Sequence, residues 1–293
     1  MRPEGPGWYT HRYNRATFYR LAAVAGRLPR RARLRVAAIA ARLVAQAMPV
    51  ERAVVERNLR RITAADERML PGLTRAVFRD FAMCFADLVS TNRRPVSRLA
   101  GYVRRVEGAE ALDRTDAGFI SLTAHLGNWE LGGRLLAARM ARPTHVVVSG
   151  DEVRELEQWV RRDGDGLRFV ARSRATSSLA LIPALRRGEV VALQGDRALG
   201  GRGDTFVAFF GKPAPFPLGP FVLARAAGVP VAPAFCVLGA DLRYEITVHE
   251  PFTVKTGGEE DALRHWVAIL EQQVRRSPTQ WFNFYDVWSP PGA

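Results

Sequence analysis

The sequence predicts an α/β protein with a mainly parallel central sheet flanked by helices and preceded by a helical N-terminal region. From residue 99 onward, short apolar runs alternate with amphipathic stretches, which is typical of strands covered by helices on both faces. Residues 1–98 show apolar positions at helical spacing only. We therefore divide the chain into a basic, amphipathic helical region over 1–98 and an α/β core over 99–293.

The N-terminal region contains one strongly amphipathic stretch, "FYRLAAVAGRLPRRARLRVAAIAARLVAQAM", interrupted by Pro29 and lined with arginines. Such a stretch suits either a membrane interface, with arginines at the headgroups, or packing against the rest of the protein, and both interpretations stay open. Two further helical segments follow, "ERAVVERNLRRI" and "GLTRAVFRDFAMCFADLV". The segment "TNRRPVSRL" then breaks the helical period and predicts a junction.

The core alternates predicted strands and helices in chain order. The strands are "GFISLTA", "THVVVSG", "LRFVAR", "EVVALQG", "VPVAPAFCVL" and "RYEITVHEPF". The helices are Trp129–Met140, "EVRELEQWVRR", "SSLALIPALRRG", "LGPFVLARAAG" and "DALRHWVAILEQQVRR", and a long loop follows "EVVALQG". In sheets of this kind, ligands bind beyond the carboxyl ends of the strands.

The net charge is +14, and most of the positive residues are arginine. This charge indicates polyanionic partners: nucleic acid, anionic lipid headgroups, phosphorylated substrates or an acidic carrier protein. Cys84 and Cys236 are far apart in apolar patterns, so we expect two buried free thiols and a reducing compartment. With no signal peptide and no spanning run in view, the expected location is cytoplasmic or peripheral to a membrane.

The stretch "TAHLGNWELGG", residues 123–133, carries the chemistry. His125 follows a buried strand, Gly127 permits a tight turn, and Asn128 is a natural helix cap. Glu130 then falls in the first turn, where the helix N-terminus stabilises its negative charge.

On a continuous helix, His125 and Glu130 would point about 140° apart, but across a strand–turn–helix corner they can face each other. A carboxylate that holds one imidazole nitrogen leaves the other basic, so the pair predicts a general base acting on an external hydroxyl. No G-x-S-x-G nucleophile motif and no metal-ligand pattern accompanies the pair, so we expect no cofactor and no metal.

The segment "HLGNWE" resembles the His-x4-Glu box of the bacterial lipid A biosynthesis acyltransferases. Four further segments, in the same order as in that family, extend the resemblance over roughly residues 50–290. They are "VVERNL", "RRDGDGLRFVARS", "RRGEVVALQGDRALGGRGDTFVAFFGKPAPFPLGPFVLARAAGVPVAP" and "SPTQWFNFYDVW".

The resemblance implies acyl transfer from acyl carrier protein, or acyl-CoA, to a hydroxyl of a membrane glycolipid. His125 would deprotonate the hydroxyl, and Glu130 would orient the imidazole. Arg162 matches the arginine ahead of the family's glycine turn and is a candidate for binding the oxyanion or a phosphate. Asp196, the family's strand-end aspartate, would hold Arg197 or another arginine, or cap its turn. Asn128, together with Trp129, would shape the corner.

The predicted loop after "EVVALQG" has two interpretations. Gly200, Gly201 and Gly203 around Arg202 could hold a phosphate with backbone N–H groups, although the segment lacks the Lys-Ser/Thr of a P-loop. The aromatic residues that follow favour core packing, with one edge serving an acyl slot. These residues are Phe206, Phe209 and Phe210.

The acceptor that the family implies is a lipid A precursor, and phosphatidylinositol mannosides or aryl-polyene-type products fit the same box. Family members usually carry an N-terminal spanning helix, whereas this chain offers an arginine-studded amphipathic one. We therefore expect peripheral or monotopic attachment at the cytoplasmic face of the bacterial inner membrane, with an anionic membrane surface as partner. The alternative is a non-catalytic protein that binds acyl carrier protein or anionic lipid. Specific nucleic-acid binding is not expected, because the sequence contains no recognisable nucleic-acid-binding module.

Overall fold

The computed structural model describes residue 24 and residues 26–91, 94–115, 117–149, 166–172, 178–198, 200 and 203–289. Arg162 and the helix predicted over "EVRELEQWVRR" lie outside these residues. Gly201 and Arg202 do so as well.

Three long helices form the N-terminal region, as predicted: α1 Arg30–Ala47, α2 Pro49–Thr63 and α3 Leu70–Thr91. Pro29 and Pro49 stand at the starts of α1 and α2, where a proline is compatible with helix geometry because its missing N–H would have no intrahelical partner. Among the residues that the structure describes, no helix has the length and apolar character needed to cross a bilayer.

The α/β part contains nine strands and five further α-helices within the described ranges. The strands are β1 Val103–Glu107, β2 Phe119–Thr123, β3 Thr144–Ser149, β4 Leu167–Arg172, β5 Val190–Gln194, β6 Asp204–Phe209, β7 Lys212–Pro217, β8 Val231–Leu238 and β9 Tyr244–Val248. The helices are α4 Glu110–Asp113, α5 Trp129–Met140, α6 Ile182–Arg186, α7 Gly219–Ala227 and α8 Glu259–Arg276.

Seven strands form one sheet in the order β1-β9-β8-β2-β5-β3-β4. Neighbouring strands are parallel except for β8 and β9, which are antiparallel. The predicted α/β fold with a mainly parallel sheet is therefore confirmed. Strand β2 lies at the centre, and its register with β5 pairs Thr123 with Gln194 at their carboxyl ends.

Two sheet elements differ from the sequence prediction. The sequence pattern does not predict strand β1, because it is a polar edge strand, exposed over most of its length, and among the described strands it pairs with β9 alone. The predicted long loop contains an antiparallel hairpin of β6 and β7. The sequence pattern does not predict strand β7, because it contains prolines at 213, 215 and 217. These prolines occupy alternate positions, so the missing N–H groups all fall on one edge of the strand.

One hydrophobic core joins the N-terminal helices to the sheet. Side chains from α1 and α3, such as Leu34 and Phe78, belong to the same buried cluster as Ile120 of β2 and Trp266 of α8. The two regions therefore stabilise each other through shared burial. The division at residue 98 into separate units stays a prediction.

Candidate active site

His125 and Asp196 meet at the carboxyl edge of the sheet. Because Thr123 and Gln194 are register partners in the parallel strands β2 and β5, the residues two positions further along each chain emerge side by side. His125 Nδ1 lies 2.7 Å from Asp196 Oδ1. The carboxylate is fully buried, whereas the histidine retains 9% of its exposure.

The environment of Asp196 favours the ionised carboxylate. Burial by itself raises the pKa of Asp196, but the neighbouring charge and hydrogen bond of His125, the charge of Arg197 and the amide of Asn283 outweigh it and hold that pKa well below its usual range. Trp281 Nε1 and Asn283 Nδ2 both donate to Oδ2, at 3.1 and 3.2 Å. An ionised Asp196 accepts a hydrogen bond from Nδ1–H, which leaves Nε2 as the basic nitrogen.

A C-terminal segment covers this pair and holds it in place. The backbone N–H of Phe282 donates to the carbonyl of His125 at 2.7 Å, and that of Gly127 donates to the carbonyl of Gln280 at 2.9 Å. Arg197 donates to Asn283 Oδ1 at 3.0 Å and to the Phe282 carbonyl at 2.8 Å. Arg197 therefore holds the segment against the sheet edge.

Sequence reasoning did not assign roles to Trp281 and Asn283. The only signal was the family-like segment "SPTQWFNFYDVW", which contains both residues but does not indicate which strand end they reach. Their contacts with Asp196 depend on the chain returning to the sheet after α8.

The turn after His125 requires glycine. Gly127 has a φ of +63°, and a Cβ built on it would lie 2.0 Å from the carbonyl oxygen of Cys236. The backbone approaches β8 so closely because Asn128 N–H donates to that same carbonyl at 2.8 Å. Asn128 also caps α5 as predicted, its side chain accepting from Leu131 N–H at 3.2 Å.

A buried polar network supports Asn128 from below. Its amide donates to the Tyr244 hydroxyl at 3.2 Å, and that hydroxyl donates to Asp87 Oδ2 at 3.1 Å. Asp87 is fully buried and accepts from Arg30 at 2.7 Å and from Arg33 at 2.9 Å. Helices α1 and α3 are thus linked by hydrogen bonds to the corner that carries the site.

Glu130 lies in the first turn of α5 and lines an open, largely apolar cleft beside the corner. Its space amounts to about 270 Å³, part of it open to solvent. The cleft is lined by Phe81, Cys84, Phe85, Leu88, Gly127, Asn128, Trp129, Glu130 and Phe282.

The Trp129 ring packs edge-on against the His125 imidazole, with centroids 5.0 Å apart. The predicted contact between His125 and Glu130 stays a prediction, and Asp196 provides the contact to Nδ1.

The phenylalanines of the hairpin divide between core and surface. Phe209 is fully buried and packs against Trp281 and Trp288, whereas Phe206 is 58% exposed. In the predicted phosphate loop, the Gly200 N–H donates to the Asp204 carboxylate at 2.8 Å. One backbone donor of this loop is therefore already used inside the protein.

Both cysteines are free and buried, as predicted. Burial raises the pKa of the Cys84 thiol and of the Cys236 thiol well above the ordinary range, so both stay protonated at neutral pH. Across the described part of the chain, no group of three or more His, Cys, Asp or Glu side chains could hold a metal ion.

Comparison with known proteins identifies the class of protein. A sequence model described as "Bacterial lipid A biosynthesis acyltransferase" matches residues 13–289. Two curated proteins are each 24% identical over 209 residues, covering 70% of this chain and 67% of the relative. They are the lipid A biosynthesis palmitoleoyltransferase of Escherichia coli (strain K12) and a lipid A biosynthesis acyltransferase of Shigella flexneri.

These similarities define the protein as an acyltransferase. With nearly the whole chain matched, it belongs to the bacterial lipid A biosynthesis acyltransferase family. The resemblance carried by "HLGNWE" and the segments around it is thereby confirmed.

Proposed function

We propose that the protein transfers a fatty acyl chain from a thioester donor, acyl carrier protein or coenzyme A, to a hydroxyl of a membrane glycolipid. The acceptor proposed is a lipid A precursor, because both curated relatives carry lipid A biosynthesis in their names. The contact between His125 Nδ1 and Asp196 Oδ1 carries the proposal, since a histidine oriented by a carboxylate is suited to general-base catalysis.

In the proposed reaction, Nε2 of His125 takes the proton from the acceptor hydroxyl as its oxygen attacks the thioester carbonyl carbon. The tetrahedral intermediate expels the thiolate, which takes the proton back from Nε2, and the products are an ester and a thiol. Asp196 keeps the imidazole in the tautomer with the proton on Nδ1. Glu130, in the first turn of α5, adds negative charge that stabilises the imidazolium formed in this step.

The apolar cleft beside Glu130 supports the placement of the donor chain. Aromatic and aliphatic side chains of α3, Phe81, Phe85 and Leu88, form one wall of it. An acyl chain lying there would bring its thioester next to the corner of His125. Cys84 also lines this cleft, and its raised pKa argues against an acyl-cysteine intermediate and for direct attack by the acceptor hydroxyl.

The oxyanion requires hydrogen-bond donors. We assign this role to Arg162, on the family resemblance, and we assign Arg197 to positioning the C-terminal segment, on its contacts with Asn283 and Phe282. The enzyme would act at the cytoplasmic face of the inner membrane as a peripheral or monotopic protein. The net charge of +14 suits both phosphorylated lipid and an acidic carrier protein.

The test is acyl transfer by the purified full chain from acyl carrier protein thioester, or acyl-CoA, to a lipid A precursor, followed by mass spectrometry. The His125→Ala variant should lose at least about a hundredfold in kcat. The matched control is His145→Gln, because His145 Nε2 also pairs with a carboxylate, Glu189 Oε2 at 2.6 Å, but at the amino ends of β3 and β5. Activity above about a tenth of wild type in His125→Ala would exclude the general-base mechanism.

A further inference from the structure

Helix α1 exposes an apolar stripe to solvent. Val36, Ile39 and Leu43 are 49%, 61% and 66% exposed. At about 100° per residue, these three side chains fall within an arc of about 60° on the helix. Exposed apolar side chains that lie together in this way indicate a surface that binds a membrane or another protein.

An arginine edge runs along one side of the stripe. Arg31, Arg35 and Arg42 are exposed and occupy an arc of about 40°, next to Ile39 on the helix circumference. The helix contains no acidic residue along its whole length, Arg30–Ala47. A bilayer rich in anionic headgroups supplies both the negative charge that matches this arginine edge and an apolar layer beneath it for the stripe.

The opposite side of α1 is fixed to the protein. Leu34 and Ala41 are buried in the common core, and Arg33 is 2% exposed and paired with Asp87. Arg30, in the first turn, adds a second contact to Asp87. The exposed stripe is therefore held at a set orientation relative to the rest of the protein.

We propose that the exposed side of α1 is a membrane-docking surface, with Val36, Ile39 and Leu43 entering the acyl boundary of an anionic phospholipid bilayer. Arg31, Arg35 and Arg42 bind the phosphate groups above that boundary. The guanidinium group suits this position because it binds phosphate oxygens in a bidentate manner. The inference does not rest on the acyl-transfer reaction, since it concerns a surface outside the proposed catalytic corner.

The experiment is sedimentation of the full chain with vesicles of equal parts phosphatidylglycerol and phosphatidylcholine, compared with phosphatidylcholine alone. Wild type should bind the anionic vesicles more tightly, and added salt should weaken that binding. A triple variant Val36→Ser, Ile39→Ser, Leu43→Ser should lower the partition coefficient at least about tenfold. A variant Arg31→Gln, Arg35→Gln, Arg42→Gln should lower it about 10- to 100-fold at low salt.

The control variants change exposed side chains of the same types elsewhere on the protein. The apolar control is Val106→Ser, Phe206→Ser, Val222→Ser, at positions 45%, 58% and 39% exposed. The charge control is Arg264→Gln with Arg275→Gln, both exposed on α8. The partition coefficients of both control variants should be much closer to the wild-type value than those of the α1 variants. Thermal unfolding should show that every variant is folded.

Three results would overturn the proposal. One is vesicle binding by the α1 variants equal to that of wild type. Another is an equal loss in the controls, which would mean that charge and hydrophobicity act without a defined surface. The third is a wild-type dimer by light scattering that the serine variant converts to monomer with vesicle binding unchanged, because the stripe would then be an interface between two copies of this chain.

Discussion

His125 Nδ1 and Asp196 Oδ1 lie 2.7 Å apart although 71 positions separate the two residues in the chain. The parallel register of β2 and β5 explains the contact, because each residue is the second after its strand. The carboxylate that reaches the imidazole thus comes from the neighbouring strand, and it is fully buried beneath Trp281 and Asn283.

Replacing Asp196 by asparagine should lower kcat by about 10²- to 10⁴-fold with little change in KM. An amide at this position can donate to Nδ1 and so moves the imidazole proton to Nε2, the nitrogen that we propose as the base. Steady-state kinetics of acyl transfer measures the effect. A fall in kcat of less than about threefold would show that the tautomer held by Asp196 is not needed.

Glu130→Gln should lower kcat by about 10- to 100-fold, less than Asp196→Asn does. Glutamine keeps the size of the side chain in the first turn of α5 and removes only its charge, so the cap by Asn128 is unaffected. The comparison of the two variants in the same assay separates the roles of the two carboxylates. If the loss in Glu130→Gln exceeds that in Asp196→Asn, Glu130 is the residue that orients the imidazole, as the sequence alone predicts.

Gly127→Ala should destabilise the protein by about 3 kcal/mol or more, because the new Cβ meets the Cys236 carbonyl at a position with φ +63°. The matched control is Gly133→Ala in α5, where a Cβ meets nothing within 4 Å. That change should leave stability unchanged or raise it by up to about 1 kcal/mol through helix propensity. Urea unfolding followed by circular dichroism gives both values, and equal stability of the two variants would contradict the steric argument.

The buried charge of Asp196 should make stability depend on acid in a defined direction. Its pKa in the folded protein is below the usual 3.8, so its contribution is fully present above about pH 4 and is lost as pH falls towards the folded pKa. The difference in unfolding free energy between wild type and Asp196→Asn should therefore be constant above about pH 5 and should narrow as the pH falls below about 4. Urea unfolding at several pH values measures it, and a difference that widens with acid would contradict the lowered pKa.

Asp87→Asn should cost about 3–5 kcal/mol of stability, since it leaves the buried Arg33 without its carboxylate. Tyr244→Phe removes only the hydroxyl between Asp87 and Asn128 and should cost about 1–3 kcal/mol. Thermal unfolding measures both. A change of less than about 0.5 kcal/mol in Asp87→Asn would show that the network contributes little to the fold.

Local patterns in the sequence predict most of the elements. Helix α5 begins and ends where the pattern from Trp129 to Met140 places it, because Asn128 caps it and the apolar strand β2 precedes it. The sequence does not predict strand β1 or the hairpin strand β7, and the reasons differ. The first is a polar edge strand, and the second carries alternating prolines, so neither shows the apolar pattern of a buried strand.

The sequence by itself determined the α/β class and a strand–turn–helix corner with His125 after the buried strand and Glu130 in the first turn of the helix, because propensity, capping and apolar periodicity act over a few residues. Only the tertiary structure decided that β5 lies beside β2, so that Asp196 reaches Nδ1, and that the segment after α8 returns to cover them. These contacts depend on strand order and on the burial of one shared core, which long-range packing determines and local pattern does not.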